Sequence, residues 1–350
     1  MIYRPVDETD GTRQTLAASG CDVLVESIDL PGVALPQRAG LADVLMGATF
    51  RGGVMDAEFL SQFPNLRLVA KYTIGFDDVD VDAATALGIA VSHCPTEANW
   101  GGVAEGAVAL LLALLKRVRE RDRQVKRGGW RDESLRGIYL GARGDGYPGV
   151  TIGIVGLGRT GSRLVELLAP WRTRLVATDP YVDAARFVEL GVERLDLDEL
   201  LTTADVVSLH CSLTHETRNL IGARELGRMK RGAMLINTAR GALVDTEALV
   251  TALESEALAG AALDVFADEP LPTDAAVRRL DDRILLSPHM VAANVGGTLA
   301  AAVPWGLEAT LDALRGTLPE RTVNPEVAEA WRARFGAKPL LPAVGGQSVR

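Results

Sequence analysis

Short apolar or β-branched runs alternate with longer amphipathic stretches over most of this 350-residue chain. In the first part, strand-like runs at Cys21 to Val25, Asp43 to Met46, Leu66 to Ala70 and Ile89 to Val91 are separated by helix-like stretches such as Asp56 to Gln62 and Asp80 to Ala86. A long apolar helix is expected from Val103 to about Lys126. The alternation then resumes, with strands at Thr151 to Val155, Arg174 to Thr178, Val206 to Leu209, Met234 to Asn237, Gly260 to Asp264 and Ile284 to Leu286. Helices fall between them, at Ser162 to Ala169, Asp196 to Thr202, Ala223 to Met229 and Thr246 to Ser255. Strand and helix in regular succession predict parallel sheets and an α/β fold with two doubly wound domains.

A last helical stretch, Thr298 to Arg315, leads into a segment beginning near Val323. If that segment returns to the first domain, the second is an insertion joined by two crossings, which make a hinge and a cleft. The expected division is residues 1–118 with 300–330 for one domain and 119–299 for the other. Residues 331–350, the last fifteen or so rich in Pro and Gly, read as a loosely held tail.

Val150 to Asp179 carries the most specific local signal. Thr151 to Val155 is followed by Gly156, Gly158 and Gly161 and then by a helix. In a dinucleotide-binding βαβ unit the first glycine makes the tight turn, the second admits the pyrophosphate, and the third lets helix and strand pack closely. The helix N-terminus then offers unpaired N–H groups to the anion. Asp179 ends the second strand near the spacing of roughly 20 residues expected for the acid that holds the adenosine ribose. A carboxylate there repels a 2′-phosphate, so NAD is favoured over NADP, with Arg172 and Arg174 weakening that preference slightly.

Composition narrows the partners. A net charge of −9 argues against nucleic acid or an anionic membrane as the main partner and leaves a small molecule. The three cysteines, Cys21, Cys94 and Cys211, lack metal-ligand or disulfide spacing, which suits a reducing cytoplasm and predicts no metal. The N-terminus has no secretory pattern, and the apolar run Ala107 to Leu115 reads as a buried helix rather than a span.

Three segments beyond expected strand ends hold candidate chemistry: Arg240 in INTARGALVD, Glu269 in ALDVFADEP and His289 in LLSPHMVAA. Reduction of a 2-oxo acid needs a cation for the carboxylate and carbonyl, and a proton donor for the developing alkoxide. The Arg240 fork suits the first and an imidazolium at His289 the second, with Glu269 raising and orienting it. Singly, each has an ordinary alternative: a surface arginine, a solvated or capping glutamate, a loop histidine.

Together with GLGRTG and DPY, LHCSLTHETRNLI, MKRGAMLINTARGALVDTEAL, TIGFDDVDVDAATALGIAV and VAEGAVALLLALLKR, these blocks resemble the D-isomer-specific 2-hydroxyacid dehydrogenases over most of the chain. The resemblance implies a Rossmann NAD-binding domain inserted into a flavodoxin-like substrate domain, and reduction of a small 2-oxo acid by NADH. It implies Arg240, Glu269 and His289 as catalytic residues. For the cofactor it implies Gly156, Gly158, Arg159, Thr160, Gly161, Asp179, His210, Thr238 and Asp264, the last on the nicotinamide carboxamide. For the substrate it implies the backbone amides of Ile74 and Gly75, with Tyr72 and Trp100 as walls. Met46 to Thr49, Glu97 to Gly101 and Met290 complete the expected selectivity region. From their own surroundings, His93, His210 and His215 show no partner pattern and read as structural or exposed. KRGGW, ending at Trp130, resembles part of the family's dimer arm, so a homodimer through the NAD-binding domain is expected.

Departures from the family pattern limit the substrate. Met46 and Gly47 stand where phosphoglycerate dehydrogenases carry Arg-Ser, leaving Arg51 or Lys71 to bind a second anionic group. No regulatory domain is recognisable after residue 330. Ile74 in place of a lysine disfavours phosphite, and Glu269 in place of a glutamine disfavours formate. Ser212, Asn294 and Gly296 are further local changes. Two other readings remain: a reductase of a phosphonate- or phosphate-bearing 2-oxo acid, and an NADH-sensing corepressor or scaffold that keeps the fold.

Overall fold

A computed structural model of the chain describes residues 1–3, 11–25, 39–48, 53–295 and 299–342. They form two compact units, residues 1–99 with 295–350, and residues 100–294.

In the first unit, β1 (Ile2–Tyr3), β2 (Leu24–Val25), β3 (Val44–Gly47), β4 (Leu68–Lys71) and β5 (Ala90–Ser92) make a parallel sheet in the order β2-β1-β3-β4-β5. This is the flavodoxin-like strand order. β3 and β4 are buried at every position, because helices cover both faces. Side chains alternate between those faces. Val44, Met46, Leu68 and Ala70 join Tyr3, Ala309 and Ala313 on one side, whereas Leu45, Val69 and Val91 join Phe59, Leu60 and Phe63 on the other. Asp56 and Asp80 start the helices Ala57–Ser61 and Val81–Ala86 by accepting backbone N–H groups of Phe59 and Ala83, each at 2.9 Å.

The expected tail is corrected over its described part. Trp331 is fully buried, and Phe335 and Leu341 join the same core as β3 and β4. The Trp331 indole N–H donates to Arg67 O at 2.7 Å, and Arg334 donates to the carbonyls of Leu87 and Pro64. Trp331 and Phe335 lie one helical turn apart and present a single apolar edge, which holds the segment down.

In the second unit, the parallel strands are β6 (Thr151–Val155), β7 (Arg174–Thr178), β8 (Glu193–Arg194), β9 (Val206–Leu209), β10 (Ala233–Asn237), β11 (Leu258–Leu263) and β12 (Ile284–Leu286). Their order, β12-β11-β10-β9-β6-β7-β8, reverses direction between β6 and β9. That reversal is the topological switch point where an open α/β sheet binds its ligand.

This unit begins at Trp100, earlier than the expected boundary at 119. The helix Glu97–Lys116 buries Ala104, Ala107, Leu111, Leu114 and Leu115 among side chains of β6 and β10, so it belongs to this sheet. By length and composition alone this helix could cross a membrane. The long helix also breaks where continuity was expected: Arg117 takes a left-handed φ of 52°, and a separate helix runs from Val118 to Lys126.

Candidate active site

The glycine turn leaves β6 at the switch point. Gly156 has φ +96°, and a Cβ there would stand 2.6 Å from Cys211 N, so the turn lies against the chain leaving β9. A Cβ at Gly161 would stand 2.0 Å from Gly156 O, whereas one at Gly158 would meet nothing within 4 Å. The first and third glycines therefore serve close packing, and the second leaves open the N-terminus of the helix Arg159–Leu168. Arg159 is exposed and Thr160 half-buried in its first turn. The Asp179 carboxylate accepts N–H groups from Leu157 at 2.8 Å and Tyr181 at 2.9 Å, tying the end of β7 to the glycine turn. Arg174 opens β7 at the other end and pairs with Glu193 at 2.7 Å. The expected influence of Arg172 and Arg174 at Asp179 is thus corrected: a strand length separates them from it.

Two buried polar atoms suit a ligand at this switch point. His210, just past β9, donates its N–H to Val155 O at 2.7 Å and holds Ser208 Oγ against Nε2 at 2.8 Å. Burial pulls its pKa down to about 4, so the ring is neutral at physiological pH. Its Nδ1, like Thr238 Oγ1 just past β10, is buried without a hydrogen-bond partner among the described residues. Buried polar groups are seldom left unpaired. A dinucleotide laid across these strand ends brings the sugar, phosphate and amide groups that such atoms need, and the open Gly158 leaves room for it.

The catalytic candidates hang from three neighbouring strands. Asn237, the last residue of β10, closes a turn by donating to Arg240 O at 2.8 Å and accepting Ala239 N–H at 3.0 Å. Gly241 brings that turn onto the segment beyond β11, since a Cβ there would stand 1.9 Å from Phe266 C. Glu269 accepts Phe266 N–H at 2.9 Å with one oxygen and meets His289 Nδ1 at 2.7 Å with the other. His289 follows β12 and has a left-handed φ of 56°. Asp264, buried at the end of β11, accepts the N–H groups of Met290 and Val291.

Electrostatics follow this geometry. The hydrogen bond to Glu269 raises the His289 pKa above its ordinary value, against burial and the nearby Arg240 charge. Burial acts to raise the Glu269 carboxyl, but hydrogen bonds from His289 and Phe266, with the charges of His289 and Arg240, hold it below its ordinary range. Arg240 is half-buried and donates to Ala239 O at 2.7 Å. His289 thus holds its proton more firmly than an unpaired imidazole would, with Nδ1 engaged by Glu269.

In the first unit, Ile74 and Gly75 lie in the turn after β4. Their carbonyls are held by His93 Nδ1 and Thr73 Oγ1, and neither of their N–H groups has an acceptor among the described residues. Tyr72 is corrected from pocket wall to core residue: it is 1% exposed and packs edge-on to Tyr3. Met46 is likewise core, at 0% exposed. Trp100 is half-buried in the first turn of its helix, and Met290 is exposed. Lys71, expected as a surface charge or an anion ligand, is buried and ion-paired with Asp78 while donating to Ala48 O. Arg51, Thr49 and Gly296 lie outside the described residues. The anchoring roles of Asp264, Asn237 and Gly241 were not legible in sequence. The only signal for them is their position at or shortly after a strand end.

Residues 108–291 match the NAD-binding domain of the D-isomer-specific 2-hydroxyacid dehydrogenases. A glyoxylate reductase of Thermofilum pendens is 38% identical over 313 residues, covering 88% of this chain and 89% of that protein. A D-3-phosphoglycerate dehydrogenase of Mycobacterium tuberculosis is 39% identical over 80% of this chain, which spans only 51% of that longer protein. The crystal structure of a D-lactate dehydrogenase from Aquifex aeolicus, complexed with NAD and lactic acid, superposes with a TM-score of 0.81 at 26% identity, covering 92% of this chain and 99% of that one. The chain belongs to the D-isomer-specific 2-hydroxyacid dehydrogenases, NAD-dependent oxidoreductases that act on CH–OH donors.

Proposed function

We propose that this protein reduces a small 2-oxo acid with an uncharged side chain to the corresponding 2-hydroxy acid, with glyoxylate, which gives glycolate, as the foremost substrate. The observation that carries the chemistry is the His289 to Glu269 contact of 2.7 Å within reach of the Arg240 charge. NADH, when bound, supplies the hydride. Arg240 holds the substrate carboxylate and polarises the carbonyl through its planar, permanently charged fork. The protonated His289 gives its Nε2 proton to the alkoxide oxygen, and Glu269 stabilises the imidazolium and fixes the ring plane. The N–H groups of Ile74 and Gly75 are further donors suited to a carboxylate.

Likeness to a glyoxylate reductase over nearly the full length of both chains supports the small substrate. The ion pair of Lys71 with Asp78 weighs against a phosphate-bearing one, because it withdraws the cation that would hold the extra anion. Val118, Val125, Trp130, Ile138 and Tyr139 are exposed along one segment of the second unit and support a homodimer through that unit. Three free thiols suit the cytoplasm.

The deciding experiment is NADH oxidation across glyoxylate, hydroxypyruvate, pyruvate, branched and aromatic 2-oxo acids, and phosphonopyruvate. Turnover highest on glyoxylate or hydroxypyruvate is expected. Preference for phosphonopyruvate would overturn the substrate class. NADH binding without turnover on any member would favour the scaffold.

A further inference from the structure

β7 and β9 lie on either side of β6, so with neighbouring strands about 4.8 Å apart the loops leaving them stand roughly 10 Å apart across the glycine turn. One side-chain hydrogen bond spans this gap. Tyr181, beyond β7, donates its hydroxyl to Glu216 Oε2, beyond β9, at 2.6 Å. Both partners are held from behind. The Tyr181 N–H is on Asp179 Oδ1 at 2.9 Å, and Glu216 sits in a turn where Thr217 Oγ1 donates to Ser212 O and accepts Thr214 N–H, each at 2.7 Å.

Burial does not account for this contact, since Tyr181 is 80% exposed and Glu216 is exposed too. Among the described residues neither Glu216 nor Arg218, two residues on, takes part in an ion pair, so no cation of the chain engages this carboxylate. The Glu216 hydrogen bond and charge, together with the Asp179 charge, raise the pKa of the Tyr181 phenol, which places that phenol within the field of both carboxylates.

We propose that Glu216, held by Tyr181, is a second determinant of cofactor choice, a carboxylate that acts with Asp179 to reject a 2′-phosphate at the ribose end of the nucleotide groove. The inference rests on the NAD site described above. Asp179 accepts two N–H groups, whereas among the described residues Glu216 is engaged at Oε2 alone, by the Tyr181 hydroxyl. At an exposed site the repulsion is screened by salt, so removing one carboxylate is worth about three- to tenfold in affinity at low ionic strength and less at high.

The test is direct binding of NADH and NADPH, by fluorescence titration at low and high salt, to the wild type, Glu216→Gln, Tyr181→Phe and, for comparison, Asp179→Asn. Glu216→Gln is expected to tighten NADPH about three- to tenfold with NADH within twofold, and the gain should shrink in high salt. Tyr181→Phe keeps the ring but releases the carboxylate, and should tighten NADPH by less. NADPH affinity that rises only in Asp179→Asn, or that rises equally for NADH in Glu216→Gln, would overturn the proposal. Failure of the wild type to bind NADH would overturn it together with the cofactor assignment.

Discussion

The Asp264 carboxylate accepts the amide hydrogen of Met290 at 2.9 Å, one residue beyond His289. The same oxygen takes Val291 N–H at 3.2 Å, and the side chain is 2% exposed. The aspartate that the family resemblance assigns to the nicotinamide thus also fixes the segment that carries His289, the proposed proton donor.

Asp264→Ala is therefore expected to act on the position of His289. Two amides lose their acceptor, at about 1–3 kcal/mol for each group left buried and unpaired. As the ring leaves Glu269, the ionisation seen in kcat/KM against pH should fall back toward the ordinary histidine value. A lowered melting temperature with an unmoved ionisation would assign Asp264 a structural role only.

In the proposed mechanism the His289–Glu269 pair sets the pH dependence. Reduction needs the imidazolium, and the hydrogen bond to Glu269 raises the His289 pKa. The reductive rate should be full at low pH and lost as pH rises through that raised value, with the oxidative rate moving oppositely. Glu269→Gln removes the stabilising charge, so both limbs should move to lower pH. Identical profiles in wild type and variant would dissolve the pairing.

His289→Ala should lower turnover at least about a hundredfold, the lower bound for general acid catalysis. NADH affinity, measured separately by titration, should change little. Near-normal turnover would remove His289 from the mechanism.

Trp331→Ala removes a fully buried indole and its hydrogen bond to Arg67 O. A loss of about 3–5 kcal/mol is expected for the first unit in a denaturant titration. A change under about 1 kcal/mol would return the segment to the status of a tail.

Much of this was legible in the chain. The strands could be read because parallel strands covered on both faces are short, continuous apolar runs, and the glycine turn because strand, turn, helix and acid come in one order. Arg240, Glu269 and His289 stood out because family blocks surround them. What escaped reading depends on contacts between distant segments. Tyr72 and Lys71 end or follow a buried strand, where sequence does not show whether a polar side chain turns outward or inward. The apolar edge of Trp331 and Phe335 was hidden among Arg, Glu and Ala. The break at Arg117 sits inside an unbroken helical pattern, and its left-handed backbone has no glycine to announce it.

β12, one edge of the second sheet, has three residues and one neighbouring strand. His289 follows it, whereas the nucleotide turn springs from β6, an interior strand of the same sheet. Edge strands open at lower free energy than central ones. On warming, the protein should lose its functions in sequence: proton donation first, nucleotide affinity later, the sheet last. The heat-worn enzyme would be one that still holds its cofactor and can no longer use it.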